Sequence, residues 1–145
     1  MLRDSTYPAV IGRALIALPF LLSGVGKIAA PAFTQGYIAS VGLPLPLVAY
    51  AIAVVIEVGG SLLLLLGVQT RLTAVALAIF TLATAFAFHT NFADQNQMFH
   101  FLKNVVIVGG LLQVVAFGAG NFSVDAWLER RRNAAASAPH TRAVA

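Results

Sequence analysis

"YAIAVVIEVGGSLLLLLGVQ", Tyr50 to Gln69, is an apolar run with one carboxylate, Glu57, near its middle. Crossing a bilayer as a helix takes about 20 mainly apolar residues, so this stretch reads as a membrane span. The rest of the chain agrees. It is 59% hydrophobic and only 10% charged, whereas soluble domains are about half apolar and a quarter charged. A chain of 145 residues is too short to hide that much apolar surface from water. The sequence specifies an integral membrane protein.

Four segments qualify as spans, at 10–28, 47–67, 72–88 and 101–117. They predict an all-α, four-helix transmembrane bundle forming one domain over residues 1–125. A basic tail, 126–145, is expected to be disordered and cytoplasmic, being small and polar from Asn133 onward. The third and fourth spans are short, which snorkelling ends or a thinned bilayer accommodates. "APAFTQGYIASVGLPLP" (30–46) joins the first two spans. With Phe33, Tyr37 and Ile38 it is expected to lie along the interface as a short amphipathic piece. "VQTR" (68–71) is a tight connection, and "HTNFADQNQM" (89–98) a polar one.

The net charge of +4 does not indicate nucleic acid. The basic residues form no stripe, and the cluster Arg130, Arg131 and Arg132 follows an apolar segment as a positive cap on a membrane helix does. With four spans, one side holds Arg3, Arg13, Arg71, Arg130, Arg131, Arg132 and Arg142, and the other only Lys27 and Lys103. The positive-inside rule then places both termini in the cytoplasm. "KIAAPA" offers a cleavage-like Ala30-Pro31-Ala32. However, the first apolar run is longer than a signal core and Lys27 immediately precedes the site, so it is read as a span. The absence of cysteine excludes disulfides, thiol catalysis and thiolate metal sites. A weak echo, "VGGSLLLLLG" against "VGGLLQVVAFG" fifty positions later, would be a parallel repeat.

Glu57 lies at the midplane of its span by helix rise. A carboxylate there costs several kcal/mol (order of magnitude) unless paired, protonated or wetted, so it should face the bundle interior. Its helical neighbours Ala53, Gly60, Ser61 and Leu64 make a small, partly polar face. Arg13 in the first span and Lys103 in the fourth each lie about 9 Å from the midplane by helix rise and are the expected partners. Pro19, at Glu57's depth, frees the Leu15 carbonyl from its helix bond.

Arg13, Ala17, Phe20, Gly24 and Lys27 recur at helical spacing on the first span. His100, Lys103, Asn104 and Ile107 share a face of the fourth, and Thr81, Ala85 and His89 one of the third. Turned inward, these faces place Lys27, His89, His100 and Lys103 as a positive vestibule above a buried acid. Taken singly, each of those four lies near a span end, where snorkelling to the headgroups is the simpler account. No metal site is expected, since no helical H-x-x-x-H or carboxylate set accompanies the histidines. Glu57 itself fits a functional site and a structural ion pair equally well.

"GRALIALPFLLSGVGKI", "GLPLP", "IEVGGSLLLLLGVQTR" and "FLKNVVIVGGLLQVVAFGAGNFSVD", in this order and spacing, resemble the DoxX family of small bacterial four-helix membrane proteins. The resemblance runs from Ile11 to Asp125 and picks out Arg13, Gly24, Lys27, Pro44, Glu57, Gly59, Gly60, Gly67, Arg71, Lys103, Asn104, Gly118 and Gly120. It implies a multi-pass protein of the bacterial inner membrane. Since the family is named for a subunit of a thiosulfate:quinone oxidoreductase, it also implies a redox or oxidative-stress setting, but fold alone does not confer function.

Three roles are therefore expected to compete. The first is a subunit that is non-catalytic as an isolated chain, docking a redox-protein partner and offering a quinone pocket with no covalently bound cofactor. In that role Lys103, Asn104 and His89 donate to a carbonyl and Glu57 exchanges a proton. The second is a transporter of a small anion or lipid-like solute, dimerised through Gly59–Gly60 or Gly109–Gly110 into a homo-oligomer. The third is a scaffold. The expected pocket comprises Arg13, Lys27, Glu57, His89, Lys103 and Asn104. Gly24, Gly59, Gly60, Gly109 and Gly110 are the expected helix-packing positions.

Overall fold

A computed structural model of the chain describes residues 6–137. Four helices are long and apolar enough to cross a membrane. The first, α1, runs Thr6–Ala29, and α2, Pro31–Ser40, follows it as a short helix. The second span, α3, covers Pro46–Leu66. It consists of an α-helical stretch Pro46–Val54, a π-helical turn Val55–Gly59 and a further α-helical stretch Gly60–Leu66. The remaining spans are α4, Thr70–Phe88, and α5, Gln95–Phe117; a final helix, α6, covers Val124–Ala136.

These boundaries follow from local chemistry. Pro31 and Pro46 open α2 and α3 at the first helical turn, where a missing N–H costs nothing. α3 stops at Gly67, whose φ of +70° admits a left-handed residue without a side-chain clash. Gly67 N–H donates to the Leu64 carbonyl and Val68 N–H to the Leu63 carbonyl, the paired bonds of a Schellman stop. Asp94 caps α5 by accepting from Asn96 N–H at 2.8 Å, so the helix begins six residues before the expected boundary at 101. That absorbs His100 and the last four residues, 95–98, of the connection read as polar loop.

The segment 126–136, read from sequence as disordered tail, belongs to α6. Ser123 caps it, accepting from Ala126 N–H at 3.1 Å. The sequence beyond Ser137 lies outside the described residues.

The packing is the reverse of a soluble protein's. Leu15, Val55, Ile79 and Val106 are between 65% and 74% exposed, while Arg13, Glu57, Ser61, Thr73 and Thr81 are buried. Apolar side chains turned outward meet lipid, and the polar ones must find partners inside. Ala17, Phe20, Leu64, Ala74, Leu77, Ala78 and Leu111 form the core that α1, α3, α4 and α5 share. Small residues set the helix spacing at three of the expected glycines. A Cβ on Gly24 would lie 2.6 Å from Val58 Cγ2, one on Gly60 2.9 Å from Leu77 Cδ2, and one on Gly110 3.2 Å from Ile16 Cδ1. Gly59 and Gly109 differ from expectation: a Cβ at either meets nothing within 4 Å, so neither packs helices within the chain.

Candidate functional site

Two separate polar centres occupy the bundle interior, where the sequence suggested one. The first lies at mid-depth. Close approach of α1 at Gly24 brings Ser23 and Lys27, one helical turn apart, onto the π-helical turn of α3 that carries Glu57. Lys27 Nζ donates to Glu57 Oε1 at 2.9 Å and to Ser23 Oγ at 2.7 Å, and Ser23 Oγ donates to Glu57 Oε1 at 3.3 Å. Nζ also sits 2.8 Å from Oε2, so the ammonium straddles both carboxylate oxygens. The Glu57 side chain is 7% exposed and that of Lys27 25%. The carboxylate is thus fixed inside the bundle, and the ammonium reaches it from the wetter end.

The partner expected for Glu57 was Arg13 or Lys103, and neither fills that role. Arg13 is committed elsewhere, and Lys103 is exposed. Sequence reasoning placed Lys27 at the mouth, snorkelling outward. Its long stem instead turns inward because Gly24 lets α1 close on α3.

Beside the ion pair is a cavity of about 560 Å³, within the usual range for small-molecule sites. Of the six expected pocket residues, Lys27, Glu57, His89 and Asn104 line it, while Arg13 and Lys103 do not. Apolar side chains make most of the wall, among them Phe20, Ile38, Ile52 and Phe80. The α2 helix contributes Tyr37, whose ring stacks on Phe88 with centroids 5.3 Å apart. His89 is oriented by Gln97 Oε1 at 2.9 Å from Nδ1 and stacks on His100 at 5.0 Å between centroids.

Sequence reading missed Ser23, Thr84 and the π-helical turn at this site. Ser23 was findable, being four residues before Lys27 on the same face. The π-helical turn leaves no compositional trace, although such turns cluster at functional sites.

The second centre lies at the end of the bundle where α1 begins and α3 ends. Arg13 Nη1 donates to the Leu64 and Leu65 carbonyls, each at 3.1 Å, and Nη2 to the Phe122 carbonyl at 2.6 Å. The guanidinium thereby satisfies the Leu65 carbonyl, adds a second donor to the Leu64 carbonyl at the C-terminus of α3, and ties both to the segment leading into α6. Asp125 completes the clamp from the other side. It accepts from Gln69 N–H and Thr70 N–H, both at 2.8 Å, and from Thr70 Oγ1 at 2.7 Å. It therefore caps α4 from 55 residues away. Arg71 Nη2 reaches the Ala116 carbonyl at 3.4 Å near the end of α5.

Burial alone would raise the Asp125 carboxyl pKa. The Thr70 and Gln69 hydrogen bonds, aided by the Arg13 charge, outweigh it and hold the group below the ordinary carboxylate value. A depressed folded pKa contributes stability that is full above the unfolded value, about 3.9, and is lost as pH falls through the lower folded value. The unfolding midpoint should thus decline as pH drops below about 4. Thermal unfolding of wild type and Asp125→Asn between neutral and acid pH checks this: the variant should start lower and show a shallower decline.

Comparison with known proteins agrees with the architecture. The family model described as DoxX matches residues 9–90. The chain is 41% identical over 125 residues to the inner membrane protein YqjF of Escherichia coli (strain K12), covering 84% of this chain and 92% of that protein. It is 38% identical over 121 residues to the inner membrane protein YphA of the same organism, covering 80% of this chain and 86% of that protein. No solved structure matches the chain significantly. The resemblance noted in the sequence therefore holds, and the fourth span, beyond the family match, falls within the reach of these relatives. With its four apolar spans, this chain is a multi-pass inner-membrane protein and belongs to the DoxX family.

Proposed function

We propose that this DoxX-family protein is a non-catalytic membrane subunit of a quinone-linked redox assembly, its interhelical cavity holding a quinone-sized ligand. Supporting this reading is the cavity of about 560 Å³, apolar over most of its wall and bordered by the Lys27–Glu57 pair. A ring with an apolar tail fits such a lining, with Asn104 and His89 available to a polar head and Glu57 to a proton. Electrons come from a partner protein, since the chain carries no flavin motif or haem ligand pair. The excess of arginine on the side of the termini supports placing both termini in the cytoplasm. The anion-transport reading is weaker, because Lys27 already faces a carboxylate at 2.8 Å.

Mass spectrometry of protein purified in native-lipid particles tests the proposal. Wild type should carry quinone, and Glu57→Gln, folded to the same extent, should carry at least several-fold less. A wild type free of quinone, whose presence does not change quinone reduction by membranes otherwise lacking it, would sink the reading.

A further inference from the structure

The first turn of α6 is held where α3 ends and α4 begins. Asp125 accepts from the Gln69 and Thr70 amides, and its own N–H donates to the Gly67 carbonyl at 2.9 Å. That turn is therefore fixed at the boundary of the spans, at headgroup depth. Beyond it the helix is not stowed against the bundle, since residues 127–136 are all exposed. Its side chains are those of an interfacial helix. Trp127 and Leu128 are 45% and 44% exposed, and Phe117 and Phe122, just before the helix, are 80% and 64% exposed. Aromatic rings collect where membrane meets water. The Arg131 guanidinium lies 4.1 Å over the centroid of the Trp127 ring, which keeps charge and indole at one level. Successive helical residues turn by about 100°, so Arg130 and Arg132 flank Arg131 on either side. Asp125 is spent on capping α4, leaving Glu129 as the free acid of the helix against three arginines.

We propose that α6 lies in the plane of the leaflet on the side of the termini, with Trp127 and Leu128 seated among the upper acyl carbons and its arginines binding anionic phospholipid headgroups. The inference is independent of the quinone-site reading. A guanidinium presents a planar fork of donors that matches a phosphate, and basic residues beside a span are drawn to an anionic leaflet. An acidic protein surface would also attract the arginines. It would leave Trp127, Leu128, Phe117 and Phe122 without an apolar neighbour, whereas a lipid supplies the phosphate and the hydrocarbon together.

The test uses the full chain in nanodiscs of mixed phosphatidylcholine and phosphatidylglycerol, identical in composition except for which lipid carries bromine on its acyl chain. Trp127 is the sole tryptophan, so its fluorescence reports the lipids beside α6. Bromine on phosphatidylglycerol should quench it about fivefold more strongly than bromine on phosphatidylcholine, the factor of one arginine drawn to an anionic leaflet. In Arg130→Gln/Arg132→Gln, which keeps Arg131 on the indole, the ratio should fall toward one. Wild type in about 1 M salt, where the screening length shrinks to about 3 Å, should show the same fall and needs no variant. Equal quenching by the two lipids at low salt, or a preference that survives both changes, overturns the headgroup assignment. An indole quenched by aqueous iodide and by neither lipid places α6 away from the membrane and overturns the whole inference.

Discussion

Lys27→Met is expected to destabilise the protein by about 3–5 kcal/mol, the usual effect of leaving a buried charge without its partner. The two ends of this ion pair are not equivalent. Glu57 is 7% exposed at its side chain and held inside the bundle, whereas Lys27 is 25% exposed and can swing toward the headgroups when its partner is lost. Glu57→Ala should therefore cost less than Lys27→Met, about 1–3 kcal/mol. The double variant Lys27→Met/Glu57→Leu should recover most of the loss, because well-packed apolar residues commonly replace a buried pair at little cost. Unfolding of all three variants in nanodiscs measures the order. A Glu57 variant weaker than the Lys27 variant would mean that the lysine, not the carboxylate, is the trapped charge.

Gly67→Ala is the second large effect. At φ +70° an alanine is strained by about 1–2 kcal/mol. Its Cβ would also lie 2.5 Å from both Arg13 Nη1 and Ser123 Cβ, adding about 1–3 kcal/mol of overpacking. The added carbon pushes apart the clamp that holds α3, α4 and the α6 segment together. Beyond a lower unfolding midpoint, hydrogen exchange should speed up at the Gln69 and Thr70 amides, which donate to Asp125. Rapid exchange elsewhere with those amides still protected would contradict this account.

The spans and the family were legible because hydrophobicity accumulates residue by residue, and four long runs leave little choice of architecture. The cavity was half legible. Glu57, Lys27, His89 and Asn104 follow from depth and helical spacing. Treating the helices as level rods, however, chose Arg13 and Lys103 as partners and missed the inward turn of Lys27. Asp125 capping α4 joins positions 55 residues apart, and no local pattern encodes it. The α6 helix was misread for another reason. Its arginines read as tail, while the Ser123 cap that starts it was present in the sequence and outweighed by composition.

Between the two polar centres lies an apolar septum. Ala17 and Phe20 on α1, Leu64 on α3 and Leu77 on α4 fill the space separating the Glu57 cavity from the Arg13 clamp. The hydroxyls nearby bond locally, with Ser61 donating to the Val58 carbonyl within α3 and Thr73 to the Val68 carbonyl in the turn before α4. Among the described residues, no chain of hydrogen bonds connects one centre to the other. The septum thus bounds the cavity with hydrocarbon on the Arg13 side, and a proton exchanged at Glu57, as proposed above, would find no side-chain relay through it toward the clamp.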